Sequence, residues 1–302
     1  MRGALARGFA VTVIDNFVTG RRSNLAPVLD QIDLVEGSIA DPQAVDRAMA
    51  GVDFVLHEAA LPSVPKSVER PVDTHEANIT GTLQLLEGAR RAGVKRLVYA
   101  GSSSAYGPNP APVKREDMPP QPISPYAVQK LTGEYYLKVY HQLFGLETIT
   151  LRYFNVFGPR QDPKSQYAAV VPAFVTRMLR GEAPVVHGDG RQSRDFTFID
   201  NVVEANFAAL TAPATACGRV FNAACGGNID LLTLIEWINE ALGTAIVPTH
   251  VETRAGDVRH SCADTRAAAE GLGWSARISV AEGLRRTIEW YQADAGQASV
   301  AE

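Results

Sequence analysis

The apolar residues of this chain follow two rhythms. Short β-branched runs stand at Ala10–Ile14, Ile32–Val35, Phe54–Leu56, Arg96–Ala100 and Thr148–Leu151, with amphipathic stretches between them. Runs of this length, alternating with helical patterns, predict a parallel sheet with crossover helices. The stretch Thr74–Ala92 sets Ala77, Ile79, Leu83, Leu85, Leu86 and Ala89 near helical spacing, and Gly93 then stops it. Ser124-Pro125 reads as the N-cap and first position of another helix.

Beyond about Gly158 the strands thin out. Pro172–Arg180, Asp230–Leu242, Ala267–Leu272 and Val280–Gln292 read as helices separated by loops rich in Gly and Pro. The expected organisation is an α/β domain at 1–158, then a smaller, mostly helical lobe at 159–292 with segments crossing back, and a frayed tail at 293–302. Ligands of open α/β sheets bind beyond the carboxyl ends of the strands, so the chemistry is sought there.

Composition narrows the classes. With 302 residues, 46% hydrophobic and 21% charged, the chain can bury a large core as an ordinary globular protein. A formal charge of −4 disfavours nucleic acid or an anionic membrane as the main partner. An anionic ligand must then be met by local basic residues. Cys217, Cys225 and Cys262 lack metal-ligand spacing, so no metal site is expected, and an odd count suits a reducing compartment. No apolar run approaches the roughly 20 residues of a membrane span. The opening MRGALARGFAVTV lacks a signal-peptide layout, and the expected location is cytoplasmic.

The sharpest chemical signal is Tyr126-Ala-Val-Gln-Lys130 at the start of the helix opened by Ser124. Positions i and i+4 share a helical face, and a cation beside a phenol stabilises the phenolate. Such a tyrosine can serve as a general acid/base near neutral pH. Alone, this spacing is commonly an exposed amphipathic pair. Context reverses that reading, because the strand Arg96–Ala100 runs directly into Gly101-Ser102-Ser103-Ser104-Ala105-Tyr106-Gly107. Hydroxyls at a strand's carboxyl end are suited to bind a substrate oxygen. Asp15, closing AVTVID, is a weaker signal: an acidic residue there can hydrogen-bond an adenosine ribose and favour NAD over NADP, but Asp also opens turns.

These segments and others resemble the extended short-chain dehydrogenase/reductase family of nucleotide-sugar epimerases and dehydratases. The matching segments are VTVIDNFVTGRRSNL, VLHEAALPSVPKSVERP, ANITGTLQLLEGAR, LVYAGSSSAYG, SPYAVQK, LRYFNVFGPRQDP, VVHGDGRQSRDFTFIDNV and RAGDVRHSCAD, in the family's order. The likeness is greatest to the 4-epimerases of UDP-glucose and UDP-N-acetylglucosamine. It implies a Rossmann-type doubly wound parallel sheet with a smaller substrate lobe, and Ser102, Tyr126 and Lys130 as the catalytic triad. Tyr126 would take the C4 hydroxyl proton while hydride passes to NAD; the 4-keto sugar turns and the hydride returns to its other face. Lys130 would bridge the nicotinamide ribose and hold Tyr126 acidic.

By the same resemblance NAD meets Asp15, Asn16, Ser38, Ile39, Ala59, Ala60, Asn78 and Tyr153 besides Tyr126 and Lys130. Ser38 replaces the family's Asp and loses its charge. The UDP-sugar would meet Ser102, Ser103, Asn155, Ala169, Val170, Val185, His187, Arg194, Arg254, Asp257 and Ser261, the arginines matching phosphate oxygens. His187 stands where an aromatic ring usually packs on uracil. Ser103 and Ser104 occupy positions where the family's dehydratases and decarboxylases carry acids, which favours epimerisation. Ser261, being small, leaves room for an N-acetyl group. A homodimer through the Thr74–Ala92 and Pro125–Phe144 stretches is expected.

One departure cuts across this. The family opens with a strand and Thr-Gly-x-x-Gly-x-x-Gly, whose backbone meets the NAD pyrophosphate. Arg2-Gly-Ala-Leu-Ala-Arg-Gly8 matches the end of the helix that follows that loop, so the first strand and the loop are expected to be missing. Two readings follow: a 4-epimerase, or a nucleotide-sugar-binding pseudoenzyme without tight NAD. A dehydratase or reductase is the alternative within the family.

Overall fold

The computed structural model describes residues 1–163, 169–253 and 259–300, with side chains to 294. The five predicted strands all form, as Thr12–Asp15, Asp33–Glu36, Phe54–His57, Arg96–Ser102 and Glu147–Tyr153. Their ends move by a residue or two, as strand and helix limits commonly do. Thr12–Asp15 and Asp33–Glu36 pair in parallel, Asp15 opposite Glu36. Phe54–His57 pairs in parallel with Arg96–Ser102, His57 opposite Tyr99. The latter two join Glu147–Tyr153 and Arg219–Ala223 in a four-stranded sheet, so the strands are shared between two sheets.

Helix ends follow their caps. Asp41 Oδ1 accepts the Gln43 N–H to start Pro42–Ala48, and Ser124 Oγ accepts the Ala127 N–H at 3.2 Å to start Pro125–Phe144. The predicted Thr74–Ala92 helix is instead three pieces. Pro71–His75 passes through a wider turn, Glu76–Thr80, into Gly81–Ala92, which Gly93 ends at φ 71°. Such turns inside helices gather at functional sites.

The chain divides into two compact units. The first holds 1–107, 119–152 and 206–221; the second holds 108–118, 153–205 and 222–302. The first is packed around Val45, Leu86, Ala89, Leu97, Tyr99 and Leu137. The second is packed around Phe157, Phe174, Val175, Phe196, Phe198, Leu234, Ile238, Leu284 and Ile288. Its helices include Val170–Leu179, Leu231–Leu242, Arg266–Leu272 and Val280–Val300. The last runs past the expected end at Gln292, since Ala293, Ala295, Gln297 and Ala298 are good helix formers. A further helix, Ile199–Thr211, was not expected from the apolar pattern. No helix among the described residues is long and apolar enough to cross a membrane.

Candidate active site

Ser102 is the last residue of the strand Arg96–Ser102, and its Oγ caps the turn Ser103–Tyr106 by accepting the Ser104 N–H at 3.2 Å. The Ser104 hydroxyl also donates to Ser102 Oγ, at 2.8 Å. Burial pushes the pKa of the Tyr126 phenol up, and the nearby Ser102 hydroxyl opposes the rise. A hydroxyl that lowers a phenol's pKa favours the phenolate. The hydroxyls of Ser104, Ser102 and Tyr126 are therefore grouped at one strand end. Ser67 anchors the helix beneath it by accepting the Tyr126 backbone N–H at 3.0 Å.

Lys130 lies one turn further along. It is 3% exposed, and its Nζ donates to the Ala100 carbonyl at 2.8 Å and lies 4.8 Å from the Tyr99 ring centroid. Burial lowers its pKa to about 8, while the carboxylates of Glu58 and Glu134 oppose the fall. The ammonium thus sits between its neutral and charged forms close to physiological pH.

Of the other residues expected around a cofactor, Asp15 closes its strand and accepts the Phe17 N–H at 2.7 Å, while Asn16 accepts the Val18 N–H at 3.2 Å. Phe17 takes a left-handed φ of 56°. A Cβ at Gly20 would lie 2.4 Å from Asp15 Oδ2, so a larger residue there would have to displace the carboxylate. Ser38 Oγ accepts the Ala40 N–H at 3.1 Å, and half-buried Ala59 and Ala60 follow the strand Phe54–His57. Ile39 is buried in the first core against Gly81. Tyr153 ends the strand Glu147–Tyr153 and is half-buried.

Asn78 is placed differently from an open ligand contact. It sits buried on the wide turn Glu76–Thr80, where its Oδ1 accepts the Leu61 N–H at 2.8 Å. Its amide donates to Leu61 O at 3.3 Å and Gln129 Oε1 at 2.8 Å. Asn78 therefore ties the segment after Phe54–His57 to the Tyr126–Lys130 helix. Gln129, inside the Tyr-x-x-x-Lys motif, and Ser104 make such bonds, though neither is among the ligand contacts expected from the sequence. The serine run was visible; the direction of its hydrogen bonds was not.

In the second unit Arg194 and Ser261 are register partners on the parallel strands Ser193–Arg194 and His260–Ala263. Arg194 Nη1 donates to Ser193 O at 2.9 Å. Asn155 holds a left-handed φ of 34° and donates to Asp195 O at 3.1 Å. Left-handed non-glycine residues are uncommon, and they gather at functional sites. Asp195 is fully buried, and accepts N–H groups from Cys225, Gly226 and Ala263 that oppose a burial-raised pKa of about 6. Val185 and His187 lie on the strand Val185–His187, beside Thr249–Val251, and the His187 Nδ1–H donates to Glu252 O at 3.0 Å. Exposed Ala169 and half-buried Val170 begin the helix Val170–Leu179. Arg254 and Asp257 lie outside the described residues.

A parallel sheet with hydroxyls, a phenol and an ammonium at one strand's end defines an α/β enzyme of the dehydrogenase/epimerase type. The model of the NAD dependent epimerase/dehydratase family matches residues 1–224, and the chain belongs to that family. It is 37% identical to the UDP-glucose 4-epimerase of Mycolicibacterium smegmatis over 95% of this chain and 92% of that protein. Its fold matches UDP-glucose 4-epimerase of Thermotoga maritima, solved with UDP-glucose, at a TM-score of 0.92 and 36% identity, covering 97% of this chain and 94% of that one. The UDP-N-acetylglucosamine 4-epimerase of Methanobrevibacter ruminantium, in complex with UDP-N-acetylmuramic acid, matches at a TM-score of 0.88 and 36% identity, covering 94% and 91%.

Proposed function

We propose that this chain interconverts the C4 epimers of a UDP-hexose, taking UDP-Glc/UDP-Gal, UDP-GlcNAc/UDP-GalNAc or both, through a 4-keto intermediate. The observation that carries this is the grouping of the bonded Ser104 and Ser102 hydroxyls with the Tyr126 phenol, with Lys130 one turn away. Tyr126 is the group that exchanges a proton with the sugar's C4 oxygen. Ser102 orients that oxygen and supports the phenolate as it forms. Lys130 contributes positive charge, which makes loss of the phenol proton easier.

The residues of the first unit fit a dinucleotide. Asp15, with the turn closed on its carboxylate through Gly20, suits ribose hydroxyls, and the small Ala59 and Ala60 permit close approach of a flat ligand. NAD held there would supply a reversible acceptor for the C4 hydride, so that the reaction has no net redox change. Ser103 and Ser104 bring no carboxylate for elimination, which supports epimerisation over dehydration. Arg194 is assigned to the diphosphate, and Ser261, its register partner, to the sugar side.

We also assign a second copy of the chain as partner. The helix Pro125–Phe144 exposes Val128, Tyr135, Val139 and Leu143 along one side, the last 71% exposed. Val64, Val68 and Val72 on the short helices Val64–Glu69 and Pro71–His75 extend the exposed apolar surface. A face of this kind is unusual on a monomer. Val139→Asp should convert a dimer to a monomer in light scattering; a monomeric native protein contradicts the assignment.

The functional test is incubation of the purified chain with each UDP-hexose, with and without added NAD, followed by NMR of the sugar. Appearance of the C4 epimer supports the reading. Binding of UDP-sugar with no turnover under either condition contradicts it and supports a binding-only protein. A stable 4-keto or deoxy product indicates a dehydratase.

A further inference from the structure

Behind the proposed catalytic residues lies a buried ion pair that the proposed chemistry does not consume. Glu134 and Arg152 are each 4% exposed. They meet as a fork, Arg152 Nε donating to Glu134 Oε1 at 3.0 Å and Nη2 to Oε2 at 2.7 Å. Desolvating two charges costs about as much as their attraction returns, so burial of this pair is weak evidence for a stabilising purpose. Its surroundings suggest another purpose.

Tyr126, Lys130 and Glu134 recur at four-residue intervals on the helix Pro125–Phe144 and so share one stripe of its surface. The Glu134 carboxylate reaches the strand that carries Ser102. A Cβ at Gly101 would stand 3.1 Å from Glu134 Oε1 and 2.8 Å from Thr150 Cγ2, so a larger residue there would push on both side chains. Gly101 is the residue before Ser102. On the other side of Ser102, the Arg152 guanidinium lies 4.6 Å from the ring centroid of Tyr106, the last residue of the turn Ser103–Tyr106. One pair therefore touches the helix of Tyr126 and Lys130 and both flanks of Ser102.

The pair also bears on the charge of Lys130. The groups that act on this ammonium are Glu58 after the strand Phe54–His57, Glu134 on its own helix, His57 and the Tyr99 ring. Arg152 stands beyond Glu134. His57 is buried, with a pKa lowered to about 3, and so is neutral. Glu58 is exposed, and solvent screens it, whereas the buried Glu134 is screened much less.

We infer that Glu134 and Arg152 form a positioning pair, which fixes the Ser102 strand end against the Tyr126–Lys130 helix and keeps a negative charge beside the Lys130 ammonium. Arg152 holds the Glu134 carboxylate ionised and aimed; removing it frees the carboxylate to move or to take up a proton. The role rests on the 4-epimerase reading only in its activity arm, because the charge relation to Lys130 exists without substrate.

The test uses the full chain as Glu134→Gln, Arg152→Lys and the paired Glu134→Leu/Arg152→Met, which fills the same volume without charge. First, protein carrying ¹³C-labelled lysine is titrated by NMR, with the Lys130 Cε signal assigned through Lys130→Arg. Glu134→Gln and the apolar pair should each lower the Lys130 midpoint by about one pH unit. A midpoint unmoved in these folded variants overturns the inference, whatever their melting temperatures. Second, provided the wild type epimerises, Glu134→Gln should lose about tenfold or more in kcat at pH 8 with KM within about threefold. Its alkaline limb should also move to lower pH, and Arg152→Lys should retain more activity than the apolar pair. A loss of thermal stability with kcat and pH limb intact overturns the inference. If the wild type does not epimerise, the functional reading fails and the titration alone decides the pair's role. Should Glu134→Gln not fold, the apolar pair serves both arms.

Discussion

The Ser104 hydroxyl donates to Ser102 Oγ at 2.8 Å, and Ser102 in turn opposes the burial that raises the pKa of the Tyr126 phenol. The second serine bonds the first, and the proposal is that the first supports negative charge on Tyr126. Ser102→Ala removes that support and should lower kcat by about a hundredfold, as loss of one preorganised donor does elsewhere. Ser104→Ala removes only the bond to Ser102 and should cost about threefold to tenfold. Steady-state kinetics on both variants check the order. Equal losses would show that Ser104 acts on the substrate directly.

Lys130 gives the pH dependence of both activity and stability. Burial lowers its pKa from 10.5 to about 8, so the folded protein releases this proton before the unfolded chain does. Between those values the unfolded state binds more protons, so this group's contribution to stability rises with pH from about 8 to 10.5. Activity should move the other way, falling above about pH 8 as the ammonium is lost. Lys130→Met should abolish turnover and flatten the stability rise, as followed by thermal melts at pH 7.5 and pH 10. The rise staying in the variant would assign it to another group.

Local signals in the sequence reached the strands, the Ser124 cap and the Gly93 stop, because apolar runs and capping residues act over a few neighbours. They also reached the Tyr126/Lys130 spacing, which is a property of one helix. They did not reach the Glu134–Arg152 fork, whose partners stand 18 residues apart on a helix and a strand. Nor did they reach the wide turn at Glu76–Thr80, from which Asn78 bonds with Leu61 and Gln129. Cross-strand neighbours such as Arg194 and Ser261 are set by pairing register, which no residue periodicity states.

His57 makes the first unit sensitive to acid. Its ring is 2% exposed, Nε2 lies 2.8 Å from Thr82 Oγ1, and Nδ1 lacks a hydrogen-bond partner. The Thr82 hydroxyl already donates to Asn78 O at 2.7 Å, so the His57 Nε2–H is the donor to Thr82 and the ring is neutral. Burial lowers its pKa from 6.5 to about 3, so stability is present above pH 6.5 and is lost as pH falls toward 3. At pH 4 the loss from this one group is on the order of 3 kcal/mol. His57→Leu removes the titration, and denaturant melts at pH 7 and pH 4 should show a smaller acid loss than the native protein. An unchanged acid loss would rule His57 out as its source.

Ser261 is the assigned control on the sugar's C2 side, next to Arg194 in register. Ser261→Tyr should fill that space and reduce kcat/KM for UDP-GlcNAc by about tenfold to a hundredfold relative to UDP-Glc, the range that pocket volume commands. Competition kinetics with both sugars measure the ratio directly. An unchanged ratio would remove Ser261 from the specificity assignment.

The central claim is that Tyr126 exchanges a proton at the C4 oxygen while the C4 hydrogen leaves and returns within one site. It is tested by turnover of UDP-hexose carrying deuterium at C4, in ordinary water, with NMR of the recovered sugars. The account predicts that deuterium stays at C4 in the epimerised product, and that Tyr126→Phe abolishes formation of that product while UDP-sugar binding persists. Washout of the label into solvent, or an epimerisation rate unchanged in Tyr126→Phe, would contradict it.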